Sequence, residues 1–343
     1  MTGINTSLSR RDVIRLASAT GALSATGGIA RAQAPQWAAI VEAAKKEGTV
    51  SLYSAHSLVQ LNDLTARVKK DLGITIQVVR DNDAALTARV NAERDAGKPI
   101  CDILVDTNVP GVKKRAADGY VTAPVGPAFD NPAYDRKSRA PDNTYFEVNA
   151  TILTFSWNKE QLPNGLKDYP DLINPALSGK IGIPALVAPA YFDFYQFLEE
   201  QYGSAFIEKL AALKPRAYPS ALPMAQAVVS GEVAAAISTV PLIDEAAKGA
   251  PVGWGLAPKA WGARFYGQVL KSAPHPNAAQ VLADYMITTS GQEALARVTA
   301  SVLPNISTSI ANTADVRHLN TEKLTPAFMD EYREKWKKMF QPG

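Results

Sequence analysis

The chain has 343 residues, of which 36 are Lys or Arg, 33 are Asp or Glu and one is Cys. Arg10, Arg11, Arg15, Arg31 and Asp12 all fall in the first 32 residues, so the remainder carries 32 basic and 32 acidic side chains. A formally neutral body argues against nucleic acid or an anionic membrane as partner, and the lone Cys101 excludes an internal disulfide.

Ser9-Arg10-Arg11-Asp12 sets a twin arginine ahead of a weakly apolar stretch, and Ala30-Arg31-Ala32 offers a small-x-small cleavage pattern. Residues 1–32 read as a twin-arginine export signal. The stretch is too rich in Gly and Ser for a membrane span, which needs ~20 mostly apolar residues. The chain beyond residue 32 is long for one core and comfortable for two.

After a helix-like opening with Trp37, Ile40, Val41 and Ala44 on one face, strands and helices alternate. The run 49–53 predicts a strand, and 57–72, with Leu58, Leu61, Leu64, Val68 and Leu72 at helical spacing, predicts a helix stopped by Gly73. A strand at 74–79, a helix at 84–96, a strand at 100–105 and a helix at 109–118 come next. Cys101 sits in an apolar run and reads as a small buried hydrophobe. Residues 120–148 are loop-rich, with Pro124, Pro127, Pro132 and Pro141, and 150–157 is a β-branched and aromatic run. A second series begins near Ile181, with helices at 192–202, 204–213 and 221–230 and strands at 233–237 and 252–256. Residues 264–271 read as a strand leading back to the first lobe. Helices fit 276–300, broken near Ser290-Gly291, and 325–339. The order calls for an α/β fold of two lobes, each a mostly parallel sheet with flanking helices, joined by two strand hinges. Lobe one takes 45–149 and 268–343, and lobe two takes 150–267.

Signals for catalysis are missing. His56, His275 and His318 lie in no zinc spacing, and there is no G-x-S-x-G elbow, Walker-type phosphate loop or G-x-G-x-x-G. No catalytic residue, metal or cofactor is expected, and a secreted hydrolase is the rival reading. In open α/β sheets a ligand lies beyond the carboxyl ends of the strands, and clefts between domains favour small molecules. The residues just past the strand-like runs are therefore the binding candidates. Ser54, His56 and Ser57 open the first helix, where free N–H groups and hydroxyls face the crevice, although either serine also serves as an ordinary N-cap. Thr107 follows the strand 100–105, Asn149 precedes the run 150–157, Ala190 and Tyr191 lead the helix at 192, and Ser238 and Thr239 lie between strand and helix. Arg80 supplies positive charge or a surface salt bridge, and Tyr266 an aromatic cover.

Five stretches carry a resemblance. They are Gly48-Thr49-Val50-Ser51-Leu52-Tyr53-Ser54, Asp102-Ile103-Leu104-Val105-Asp106, Leu177-Ser178-Gly179-Lys180-Ile181-Gly182-Ile183-Pro184, Gly231-Glu232-Val233-Ala234-Ala235-Ala236, and Ser272-Ala273-Pro274-His275-Pro276 leading to Ser290-Gly291-Gln292-Glu293. In order and spacing, over about residues 45–300, the chain resembles the type 2 periplasmic solute-binding proteins of ABC importers. It is most similar to their ferric-iron, phosphonate and polyamine branch. The resemblance implies a periplasmic, monomeric, non-enzymatic protein that closes on a small molecule and docks to a membrane permease. His56 matches an iron-binding histidine of some relatives, whereas Ser238-Thr239-Val240-Pro241-Leu242 stands where their paired tyrosines belong. Losing both phenolates removes hard oxygen donors that ferric iron wants. The expectation is a small organic anion held by helix N-termini, hydroxyls and Arg80. Ferric iron is an alternative, and so is a polyamine countered by Asp81, Asp83, Asp106 or Asp193.

Overall fold

A computed structural model describes residues 36–341, and the export signal read at 1–32 lies outside the described residues. The chain opens with α1 (36–47) and continues through β1 (Thr49–Ser54), α2 (Leu58–Leu72), β2 (Thr75–Arg80), α3 (Asp83–Asp95), β3 (Ile103–Asp106) and α4 (Val109–Ala117). Local chemistry sets these boundaries. Ser57 and Gln60 form a capping box at the start of α2, and Gly73 ends it in the left-handed conformation. The strand expected from residue 100 begins only at Ile103. The Asp102 carboxylate accepts the backbone N–H groups of Ser51 and His275, both at 2.7 Å, and so pins a connector there.

β4 (Val121–Thr122) and α5 (Arg136–Arg139) punctuate the proline-rich interval before the long β5 (Phe146–Asn158). The second series is β6 (Ile181–Pro184), α6 (Pro189–Tyr202), α7 (Ser204–Ala212), β7 (Arg216–Tyr218), α8 (Ala221–Val229), β8 (Ala235–Thr239), α9 (Ile243–Ala247) and β9 (Val252–Gly255). β10 (Ala260–Leu270) returns, followed by α10 (Pro276–Met286) and α11 (Thr289–Leu295). The tail adds β11 (Ala300–Ser301), β12 (Ala311–Asn312), β13 (Val316–His318) and α12 (Pro326–Phe340). The helix expected at 276–300 breaks at Ile287-Thr288. Thr288 caps α11 there, and Gly291 packs so tightly that a Cβ would lie 2.0 Å from the Tyr285 carbonyl oxygen.

The strands order as β2-β1-β3-β10-β5-β8-β6-β7. β1 runs parallel to β2 and β3, and β6 runs parallel to β7 and β8. β5 and β10, antiparallel to each other, are common to both halves. One core gathers Leu52, Leu61, Ile103, Phe146 and Leu282, and a separate one gathers Phe155, Ile183, Phe194, Leu210 and Trp261. Two lobes on two shared strands is the architecture the sequence predicts.

The C-terminal boundary is a correction. Residues 268–343 are expected in the first lobe, yet Tyr332 and Trp336 of α12 are buried in the second core, against Phe192 and Tyr195. The physical reason is the aromatic stripe Phe328, Tyr332, Trp336 and Phe340, spaced four apart, which finds matching aromatic surface on α6. The tail reaches it by pairing β13 with β10 at Ala260–Gly262.

Candidate functional site

β1, β2 and β3 end together at Ser54, Arg80 and Asp106 on the carboxyl edge of the first lobe, and β6, β7 and β8 end on the corresponding edge of the second. The shared strands β5 and β10 run between these edges and have two different faces.

On one face Ser54, His56 and Asn149 form a closed set. Asn149 donates its amide to the Leu295 carbonyl at 2.6 Å, which turns its Oδ1 toward His56 Nε2 at 2.7 Å. Nε2 therefore carries the proton, and Nδ1 accepts the Ser54 hydroxyl at 2.8 Å. The ring stacks on Phe265 with centroids 3.9 Å apart. All three polar residues are buried, and burial pushes the His56 imidazole down to about 4, so it is neutral at neutral pH. This set locks the first lobe to the hinge, and both ring nitrogens are committed within the protein.

The opposite face opens into a recess of about 360 Å³, where Thr107 and Tyr266 meet Tyr145, Arg264, Lys113 and His318. Tyr145 and Tyr266 stand edge to face at 5.4 Å. Thr107 is tied down, its hydroxyl donating to Asp83 at 2.5 Å. Arg264 lies 3.2 Å from the buried Glu147, and Lys113 pairs with Glu322 at 2.9 Å. Burial, reinforced by Arg264, lowers His318 to about 4, and its Nδ1 is buried without a partner. Thr107 and Tyr266 are two of the binding candidates named from the sequence. Arg264, on β10 itself, and His318, which the tail brings in through the pairing of β13 with β10, are not among those candidates.

The remaining candidates sit on the two edges. Ser57 is exposed, and its hydroxyl is engaged in the capping box. Arg80 is also exposed. Its Nε donates to the His56 carbonyl at 3.3 Å, and no carboxylate among the described residues pairs with it. In the second lobe, Ala190 and Tyr191 lie in the first turn of α6, whose N-cap Ala188 has no side-chain acceptor to offer. Ser238 and Thr239 are fully buried. Thr239 exchanges hydrogen bonds with Thr154, while Ser238 Oγ has no partner. Asp244 of α9 reaches Arg297 of the first lobe at 3.8 Å, an exposed contact between lobes. Among the described residues no group of three His, Cys, Asp or Glu is disposed to hold a metal ion.

A family model described as bacterial extracellular solute-binding protein matches residues 63–320 of the 343. The chain belongs to this family. As a bacterial extracellular solute-binding protein it is the binding component of an importer rather than an enzyme. Among the described residues no helix is long and apolar enough to cross a membrane. No curated protein matches it. Solved structures share its fold. Iron-bound HitA from Pseudomonas aeruginosa is 18% identical over 85% of this chain and 99% of that one, with a TM-score of 0.61. The substrate-binding protein of an ABC transporter from Agrobacterium tumefaciens is 18% identical over 85% and 94%, with a TM-score of 0.66. AfuA from Actinobacillus pleuropneumoniae, with exogenous fructose-6-phosphate bound, is 18% identical over 86% and 99%, with a TM-score of 0.60.

Proposed function

We propose that this solute-binding protein captures a small organic anion between its lobes in the periplasm and delivers it to an ABC permease. Arg80 carries the reading. It is an exposed guanidinium at the carboxyl edge of the first lobe, with no carboxylate partner among the described residues. In the second lobe α6 begins at Pro189, which has no N–H, and the Tyr191 N–H donates to the Ala188 carbonyl at 3.0 Å, so what the uncapped helix start adds is the partial positive charge of its dipole. Fructose-6-phosphate in AfuA is a precedent for an anionic organic solute in this fold. HitA binds iron, but His56 here has both ring nitrogens hydrogen-bonded to Ser54 and Asn149, and two aliphatic residues, Pro241 and Leu242, follow the β8 edge. The ligand bridges the lobes, so closure about β5 and β10 gains contacts that the open form lacks, and binding shifts the population toward closed.

The test is native mass spectrometry of the signal-free protein as purified, with release and identification of the adduct, alongside Arg80→Gln. An organic anion retained by the wild type and depleted in the variant supports the reading. A ferric ion or an organic cation retained equally by both overturns it.

A further inference from the structure

The large apolar side chains left in solvent are not scattered over the surface. Among the described residues the four most exposed are Val187 (66%), Leu222 (61%), Val59 (60%) and Leu58 (58%). Each stands just past the carboxyl end of a parallel strand. Leu58 and Val59 form the first turn of α2 after β1, Val187 lies between β6 and α6, and Leu222 is in the first turn of α8 after β7. Val240, also exposed, directly follows β8. Ile100, Tyr120 and Val125, the three remaining exposed apolar side chains, lie elsewhere, with Ile100 ahead of β3 and the other two beyond α4. Isolated exposed aliphatics are ordinary and need no account. Five that follow the carboxyl ends of strands in both lobes, the side on which ligands lie in open α/β sheets, do.

We propose that these five side chains and Arg80 grip one solute, and that this solute is a small organic acid with a branched aliphatic or aromatic body. The proposal rests on the anion reading above and narrows it. Arg80 holds the acid group, and the Leu and Val side chains of both edges cover the body when the lobes close. A polyhydroxylated anion suits such a surface poorly. Its hydroxyls would leave water for methyl groups that offer no hydrogen bond, whereas an apolar body gains from the same desolvation. The half-buried Tyr191 of α6 extends the apolar surface on the second-lobe side.

The experiment is calorimetric titration of the signal-free protein with three probes: 3-phenylpropionate, 4-methylpentanoate and gluconate. Each is run on the wild type and on Val59→Ser, Leu222→Ser and Arg80→Gln. All three residues are exposed, so the variants should fold as the wild type does, and their melting curves check this. The expected result is binding of the two apolar acids with a negative heat-capacity change and little binding of gluconate. Each serine variant should weaken the apolar acids about tenfold, the size expected for an aliphatic side chain covered by ligand. Gluconate binding more tightly than either acid would overturn the inference while leaving the anion reading standing. Unchanged affinity for the acids in both serine variants would also overturn it, and would assign the apolar edges to permease docking. If no probe binds and Arg80→Gln alters nothing, including retention of the purified adduct, the anion reading falls with it.

Discussion

Lowering the pH from 7 to 5 should destabilise this protein through His56, and the size of the effect can be worked from the geometry. The ring is sealed between Phe265, Ser54 and Asn149, and burial holds it neutral down to about pH 4, against an ordinary midpoint of 6.5. Between those values the unfolded chain binds a proton that the folded chain refuses, so stability falls as the pH falls. At pH 5 the gap from the ordinary midpoint corresponds to about 2 kcal/mol, a sizeable share of a total stability of ~5–15 kcal/mol. His318 acts in the same direction. The buried Asp284, raised to about 7, acts in the opposite one, because its proton is bound more tightly in the folded state and favours folding as the pH drops. Both contributions persist in a His56→Gln variant, where the amide keeps hydrogen-bonding capacity and cannot titrate. Urea unfolding of both proteins at pH 7 and pH 5 isolates His56. The variant should lose about 2 kcal/mol less than the wild type. Equal losses would refute the reasoning, and so would a His56 ring resonance titrating near 6.5 in a chain that has only three histidines.

Trp336→Ala should cost about 3–5 kcal/mol, and hydrogen exchange should show the loss of protection in the second lobe, around α6, while β1 and β3 keep theirs. Gly262→Ala should destabilise by at least ~1–3 kcal/mol in thermal melts, because its Cβ would sit 2.1 Å from the Thr151 carbonyl oxygen on the neighbouring hinge strand. A wild-type melting temperature there would contradict the pairing of β5 with β10. Arg80→Gln should leave the melting curve of the ligand-free protein within ~0.5 kcal/mol of wild type, since the exposed guanidinium makes one long hydrogen bond. A larger drop would give Arg80 a structural role.

Much of the architecture is legible in the sequence because its elements are long and sharply punctuated. The periodic run from Leu58 to Leu72 meets a capping serine and a terminal glycine, and both β series alternate with helices. β7, β11, β12 and β13 escape because two or three residues cannot express a period of two. The lobe assignment of α12 escapes for a different reason. Its aromatic stripe is plain in the sequence, but which lobe carries the complementary surface is decided by tertiary packing. The candidate binding residues divide in the same way. Position after a strand puts Ser54, His56, Arg80 and Thr107 on the carboxyl edge of the first lobe. Whether a polar group there is free depends on partners far along the chain, such as Asn149 and Leu295 for His56.

The two faces of the shared strands β5 and β10 are held by different kinds of interaction. The hydrogen bonds of the His56 set are short and directional, and they tie the first-lobe loop to β5. Across the other face of the same strands the connections are of a looser kind. Glu147, buried on β5, lies 3.2 Å from Arg264 on β10 and 3.4 Å from Arg139, yet its Oε1 has no well-formed hydrogen bond. Asp106 Oδ1 and His318 Nδ1 are likewise buried without partners, so orphaned atoms gather around the recess that contains Tyr266. Unsatisfied buried atoms cost about 1–3 kcal/mol each, so a cluster of them calls for an explanation. Attraction between charges depends mainly on distance, whereas a hydrogen bond fails when its angle opens. A hinge held by Coulombic pairs on one face and by directional bonds on the other resists separation of the lobes but tolerates rotation about the strands. In the closure proposed above, the spare atoms around Tyr266 are polar groups able to take new partners.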